Sequence, residues 1–259
     1  MYLQAFLLSM IQSLTEFLPV SSSGHLILLH SILKDHSIIN NISFDVALHF
    51  GSMLAIVVYF WKDILRLISS LFSKNRNNLV FYIIIGIIPA GFCGYFLDSF
   101  IESLRSVYVV LVSLIVGALI FIIVEKFSKT KKDLNNIDIK NSIFIGVMQC
   151  LSLIPGISRS GITVSAGMLS GLKRTDAAKF SFFMAIPLIF GAFIKETTDM
   201  VSIVNINLFV FGIICSFVLS LLSIFILMKL LEKYSLSIFA YYRIFLALII
   251  FILIQLGKI

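Results

Sequence analysis

The sequence predicts an all-α polytopic membrane protein built as an inverted repeat, each half one re-entrant helical hairpin plus three transmembrane helices. Three observations carry that prediction. Of 259 residues, 59% are hydrophobic and only 13% charged, more apolar surface than a soluble fold of this size can hide. Six apolar stretches approach or reach bilayer-crossing length, while two further apolar regions are broken near the middle by proline and small polar residues. An offset of 137 residues lays Gln12 on Gln149, Leu14 on Leu151, Ser21 on Ser158, Ser23 on Ser160 and Gly24 on Gly161.

Taken along the chain, the first broken region, Tyr2 to Leu33, carries Pro19 and the cluster Ser21-Ser22-Ser23-Gly24-His25. It contains no Lys or Arg, so the basic segment that opens a cleavable signal peptide is missing and the N-terminus is expected to be retained. Phe44 to Trp61 is the first full span. Lys62, Arg66, Lys74 and Arg76 follow it and mark an inside loop, because short cytoplasmic loops carry the Lys/Arg excess. Leu79 to Leu97 leads out to Asp98, Glu102 and only Arg105, and Tyr108 to Val124 returns to Lys126, Lys129, Lys131, Lys132 and Lys140. The second broken region, Ser142 to Leu172, lies between that basic loop and another, Lys173, Arg174 and Lys179. Its two ends therefore fall on one side, and it enters the membrane and turns back. A matching reading of Tyr2 to Leu33 puts the N-terminus outside. Phe180 to Phe193 is short for a span, which needs about 17–25 residues, unless its helix runs into Ala178 or Lys195. Leu208 to Leu231 and Ile238 to Leu256, the latter with an inner Arg243, complete the chain.

Each half then holds one hairpin and three spans, an odd number, so the second half is inverted relative to the first. The expectation is a single integral membrane domain over 1–259, with repeat halves 1–133 and 140–259. About fifteen helical residues at 1.5 Å each reach roughly 20 Å, so each hairpin tip can sit near the bilayer midplane. Inverted repeats with broken helices place their site where the unwound segments meet. The net charge of +7 is spread over short loops and no nucleic-acid motif accompanies it, so nucleic acid is excluded as a partner. Cys93, Cys150 and Cys215 fall in separate apolar stretches without metal-ligand spacing and read as packing residues.

The chemistry is concentrated in the two polar clusters. Gln12 and Glu16 are four residues apart and share a helix face, nine residues before His25 at Glu16. A carboxylate this deep costs about 2.5–3.5 kcal/mol, so Glu16 needs Arg159, a metal ion or a proton as partner. Arg159 has the planar fork that engages two phosphate oxygens at once. The Gly-flanked Ser-rich turns add hydroxyls and backbone N–H groups that cradle an anion. His25 adds a nucleophile or base, giving the set that phosphoryl transfer requires. His49 stands one turn inside the first full span and is evenly balanced between lining this cavity and packing. His30 reads as a helix-interface residue and His36 as a loop residue.

Gln12-Ser-Leu-Thr-Glu16-Phe-Leu-Pro-Val-Ser-Ser-Ser-Gly-His25 together with Pro155-Gly-Ile-Ser-Arg-Ser-Gly-Ile-Thr163 resembles the undecaprenyl-diphosphate phosphatase family of the bacitracin-resistance type. Length and span pattern agree over the whole chain. The resemblance implies a multi-pass enzyme of the bacterial inner membrane, with its site open to the external side. That enzyme converts undecaprenyl diphosphate to undecaprenyl phosphate plus inorganic phosphate, recycling the carrier for peptidoglycan synthesis and conferring bacitracin resistance. It further implies a divalent cation, magnesium or calcium, with Glu16 as the candidate ligand, membrane lipids as surroundings, and a homodimer left open. Matched by position, Glu16 and Gln12 are the acidic pair of the first motif. Ser22 and His25 are the alternatives for nucleophile or general base, and Arg159 is the phosphate clamp. Ser23, Ser158, Ser160 and Thr163 are substrate contacts. Gln12 stands where many members have Glu, which moves the carboxylate work onto Glu16, since an amide is neither a base nor a charged ligand.

Two other readings bear on the same residues. The type 2 phosphatidic acid phosphatases also combine Ser-Gly-His and Ser-Arg elements but place a second His just after the Ser-Arg, and this chain has no His beyond His49. A lipid-carrier transporter, or flippase, is the alternative from a different class, because the inverted-repeat architecture is shared with transporters. The joint presence of Glu16, His25 and Arg159 favours bond cleavage.

Overall fold

The computed structural model describes residues 1–33, 42–72, 79–199 and 206–259; His36, Lys74 and Arg76 lie outside them. Among the described residues the fold is helical, with no strand beyond an isolated bridge between Lys132 and Leu172. The first broken region forms α1 (Tyr2–Phe17) and α2 (Ser22–Leu33), packed on each other. The second forms α8 (Ile139–Cys150) and α9 (Arg159–Leu169), likewise packed together. Between them come α3 (Ile42–Tyr59), α4 (Trp61–Ser70), α5 (Leu79–Phe96), the short α6 (Asp98–Ser103) and α7 (Val107–Phe127). After them come α10 (Arg174–Asp199), α11 (Ile206–Lys233) and α12 (Ser237–Gln255). Five helices, α5, α7, α10, α11 and α12, are long and apolar enough to cross a bilayer, and α3 with α4 makes a sixth as a pair bent by 76°. The protein is a multi-pass membrane protein. The short stretch at Phe180 to Phe193 is resolved by the extension of α10 in both directions, and the span expected to end at Trp61 turns at Phe60 into α4, whose Ile64 and Leu67 pack against the core.

The surface is apolar and the interior partly polar, the reverse of a soluble protein. Ile88 and Val218 are 59% and 57% exposed while Gln12, Ser52, Ser216 and Arg243 are fully buried. Lipid solvates the first group, whereas the second must find partners inside. Gln12, Ser52 and Ser216 do so along the seam of α1, α3 and α11, where Ser13 and Ser52 bond to Ser216 (3.1 and 3.2 Å) and Ser52 to Ser220 (2.7 Å). Small residues permit that close approach: a Cβ on Gly51 would lie 2.5 Å from the Ile213 carbonyl oxygen.

Polar pairs sort the helix ends into two groups. At one end Lys179 faces Asp63 (3.6 Å), Arg174 binds Glu125, and Glu125 accepts the Leu236 N–H (3.0 Å). The same end has Lys173 on Asp133 (2.5 Å), a hydrogen bond that raises the ammonium pKa. At the other end Asp98 meets Lys195 (2.6 Å) and Asp45 holds Arg105 (3.4 Å) and His30 (3.2 Å), the interface role expected of His30. The loop leading to α8 is stitched to the end of α9 by Lys132 N–H to the Gly171 carbonyl (2.8 Å) and Lys173 N–H to the Lys132 carbonyl (2.9 Å). Both ends of the second hairpin thus lie at the first end. α1 starts at the other, its Tyr2 ring edge-on to Phe211 near the start of α11. The two hairpins enter from opposite ends and meet tip to tip.

Proline stops the helical run ahead of each tip, after α1 in the first hairpin and after the 3₁₀ turn Leu151–Leu153 that continues α8 in the second. Leu18, before Pro19, and Ile154, before Pro155, are extended, at φ −58°, ψ 134° and φ −76°, ψ 120°. Ser21 (φ 74°) and Ser158 (φ 79°) are the non-glycine residues with positive φ among those described, and they are the pair superposed by the 137-residue offset. In each turn that serine accepts the N–H of the glycine three residues on (Gly24, 3.3 Å; Gly161, 3.2 Å) and bonds the hydroxyl two residues on (Ser23, 3.3 Å; Ser160, 3.2 Å). Such strained backbone, costing about 1–3 kcal/mol per residue, persists where its surroundings over-determine it, typically at working sites.

Candidate active site

The tips are joined through Glu16, on the last turn of α1. Its Oε1 accepts from Arg159 Nη2 at 2.9 Å, across from the second hairpin. Its Oε2 accepts from the Ser22 hydroxyl at 2.7 Å and lies 3.0 Å from His49 Nδ1. Ser160 Oγ donates to the Glu16 carbonyl at 3.1 Å. Of the three partners open to this buried carboxylate, the structure supplies Arg159. The guanidinium is also anchored on the Ser181 carbonyl of α10 through Nη1 (3.2 Å), and both contacts leave donors of its five N–H groups over.

Gln12 lies one turn earlier on the same face. Its Oε1 accepts from Ser52 (3.1 Å) and Ser216 (2.9 Å), and its Nε2 is 3.1 Å from His49 Nδ1. One ring nitrogen cannot accept from Gln12 and donate to Glu16 together; the carboxylate is the stronger partner, so Nδ1–H donates to Glu16. His49, evenly balanced in the sequence, is thereby part of the cluster. Glu16 consequently has a hydroxyl, an imidazole and a guanidinium on its two oxygens, an arrangement that holds it ionised and aimed.

The remaining expected residues sit around this core. Ser158 Oγ caps α9, Ser160 reaches Glu16, and Thr163 bonds the Arg159 carbonyl (2.7 Å) and Ser181 Oγ (2.6 Å), bracing the α9 turn that carries Arg159. Ser23 is in the first turn, bonded to Ser21. His25 does not contact Glu16: its Nδ1 lies 2.7 Å from the Ser21 carbonyl and its Nε2 2.8 Å from the Tyr242 hydroxyl of α12. The hydroxyl of Ser22 is thus poised on a carboxylate and not on the neighbouring imidazole.

Arg243 is the residue whose place the sequence reading missed. Fully buried in α12, it donates to the carbonyls of Gly156 (2.7 Å) and Ile157 (3.0 Å) in one tip and Pro19 (3.4 Å) in the other. It also reaches Ser113 (2.9 Å) and Leu114 (3.1 Å) of α7, with the Phe121 ring 5.2 Å away. Gly117 makes room, since a Cβ there would stand 2.2 Å from Nη2. The signal was an ionisable residue inside an apolar span, which marks a working position even when its partners are unknown. Its partners are carbonyls from distant segments, which no local pattern reveals.

Among the described residues no group of three His, Cys, Asp or Glu could hold a metal. Glu16 is the carboxylate at the junction, and magnesium characteristically takes one or two carboxylates with substrate phosphate oxygens and water. A cation here would have Glu16 as its carboxylate ligand and would take its other ligands from a phosphorylated substrate and water.

Comparison with known proteins agrees with the geometry. The chain is 40% identical over 254 residues to an undecaprenyl-diphosphatase of Thermodesulfovibrio yellowstonii, covering 96% of each chain. It is 38% identical over 269 residues to one of Methanobrevibacter smithii, again covering 96% of each. With one of Clostridium tetani it shares 40% over 261 residues, 97% of this chain and 96% of the relative. Residues 5–249 match the family model described as bacitracin resistance protein BacA, and with both signature clusters joined at one junction the chain belongs to that family.

Proposed function

We propose that this protein hydrolyses undecaprenyl diphosphate to undecaprenyl phosphate and inorganic phosphate at the junction of its two hairpin tips. It thereby returns the lipid carrier to peptidoglycan synthesis and confers bacitracin resistance. The observation that carries the reading is the chain Ser22–Glu16–Arg159, a hydroxyl on a buried carboxylate that is fixed by a guanidinium from the other hairpin. The relatives' names supply the substrate.

In this reading Ser22 Oγ attacks the terminal phosphorus, passes its proton to Glu16, and the bond to the bridging oxygen breaks, releasing undecaprenyl phosphate. Water then attacks the phosphoserine; Oγ leaves and regains a proton, and inorganic phosphate departs. Arg159 clamps the transferring group through its spare donors, and the N-termini of α2 and α9 present backbone N–H groups and positive dipole ends to the same anion. His49 and Arg159 keep Glu16 ionised and oriented, and Gln12, bonded to Ser52 and Ser216, packs α1 against α3 and α11 beside it. Ser23, Ser158, Ser160 and Thr163 hold the two turns in register and offer hydroxyls to phosphate oxygens. A divalent cation, magnesium or calcium, would be held by Glu16 with the diphosphate, and would offset the charge that the diphosphate brings beside a carboxylate.

The reading includes an inverted repeat, supported by the matched turns at Ser21 and Ser158 and by hairpins entering from opposite ends. It also puts the protein in the inner membrane with its site facing the external side, which the loop charges support. In a chain whose native cysteines are replaced, a membrane-impermeant thiol reagent added outside is expected to label a single Cys near Asp98 and not one near Lys131. The reverse pattern overturns the orientation.

The activity itself is tested by phosphate release from purified protein, with and without chelator, on a prenyl diphosphate and on phosphatidic acid. Release from the prenyl diphosphate alone, lost with chelator, is expected. Release from phosphatidic acid, or from neither, refutes the substrate class, and release that chelation leaves intact refutes the cation.

A further inference from the structure

α12 places two neighbouring side chains on the site: Arg243 beneath both tips, and Tyr242, part-exposed, at His25. The geometry around His25 fixes its protons. Its Nδ1 is 2.7 Å from the Ser21 carbonyl oxygen, which only accepts, so Nδ1 carries a hydrogen. In the neutral ring Nε2 is then a lone pair, and the Tyr242 hydroxyl, 2.8 Å away with the two rings within 13° of parallel, donates to it. Ser21 is itself held at positive φ by the turn, so the imidazole is gripped between a strained backbone carbonyl and a phenol.

We propose that Tyr242 is a positioning residue of this site, acting through His25: its hydroxyl reinforces the Nδ1–H tautomer that the Ser21 carbonyl sets and keeps the Nε2 lone pair covered until substrate or water takes its place. Two consequences follow. His25 is withheld from direct attack on phosphorus, leaving that step to Ser22, and its uncovered Nε2 serves as the acceptor for the proton of the water that releases phosphate. Arg243, the next residue, keeps α12 in register with the tips, so Tyr242 meets His25 at a set distance. The inference rests on the phosphatase reading for its catalytic part, while the pairing of Tyr242 with His25 stands apart from any activity.

The test uses Tyr242→Phe, which keeps the ring and removes the hydroxyl, alone and combined with His25→Ala. Two quantities are measured: steady-state release of phosphate from a C15 prenyl diphosphate, and the rate at which diethyl pyrocarbonate modifies His25, followed by mass spectrometry of its peptide. Tyr242→Phe is expected to speed His25 modification several-fold and to lower kcat about tenfold with KM little changed, the effect of about one hydrogen bond. In the His25→Ala background it adds no further loss, which a merely structural tyrosine would not match. An unchanged modification rate overturns the pairing whatever the activity does. Faster modification with unchanged kcat, or an equal loss in the His25→Ala background, overturns the positioning role. Absence of phosphate release from the unaltered protein counts against the phosphatase reading instead, and the modification rates still decide the pairing.

Discussion

Replacing Glu16 by Gln or Arg159 by Ala is expected to remove most phosphate release from a C55 or C15 prenyl diphosphate, by about 10²–10³-fold or more, while the protein still inserts and folds. The reasons differ. Glu16→Gln keeps the shape and a hydrogen-bonding oxygen for Ser22, so packing survives, but an amide does not take the serine proton. Arg159→Ala removes the clamp and leaves the Glu16 carboxylate without the guanidinium 2.9 Å away. Breaking one side of a buried pair costs about 3–5 kcal/mol, so this variant is also the less stable of the two. Glu16→Gln leaves the less buried Arg159 guanidinium without its carboxylate but keeps an amide oxygen to accept from it, so it separates the chemical loss from the structural one better. Wild-type-like turnover in either variant, measured in purified protein, would remove these residues from the site.

Arg243 is expected to be the most sensitive position for stability. Its side chain serves five carbonyls in three segments that share no sequence proximity. Each buried acceptor deprived of its donor costs about 1–3 kcal/mol, so Arg243→Ala loses an amount comparable with a typical total stability of about 5–15 kcal/mol. That variant is expected to accumulate poorly and to unfold many degrees lower in detergent. Arg243→Lys keeps the charge with three donors in place of five, and is expected to fold with a lowered unfolding temperature and reduced kcat, because the tips lose part of their common anchor. A normal unfolding temperature and activity for Arg243→Ala would show that the tips hold their register without it.

The sequence carried the architecture further than it carried the site. Apolar runs and loop charges were enough for the spans, and the two proline-serine-glycine interruptions for the hairpins, because a bilayer leaves few ways to satisfy a backbone. Ser21 and Ser158, which the 137-residue offset superposes, adopt the same unusual φ. Less visible were the bend at Phe60 and the full length of α10, because hydropathy does not mark a bend within an apolar run, and α10 continues through the charged Arg174, Asp176, Lys179, Lys195 and Glu196. Within the site, Glu16, Ser22 and Arg159 were recognisable as chemistry but their pairing was not. His25 was the expected nucleophile or base and His49 was evenly balanced between cavity and packing, and helix packing alone decides that His49 reaches the carboxylate while His25 turns to Tyr242. Tyr242 left no trace in the sequence, being one of two adjacent tyrosines in an apolar span.

The account turns on the two hairpin tips forming one catalytic unit, and the double variant Glu16→Gln with Arg159→Ala tests that most directly. Groups that act together are strongly non-additive: removing either costs about as much as removing both. Measured as kcat/KM for phosphate release, the double variant is predicted to fall no more than about threefold below the weaker single variant. Losses that multiply, each substitution lowering activity by its full factor in the presence of the other, would mean that the two clusters work independently and that the junction is not the site.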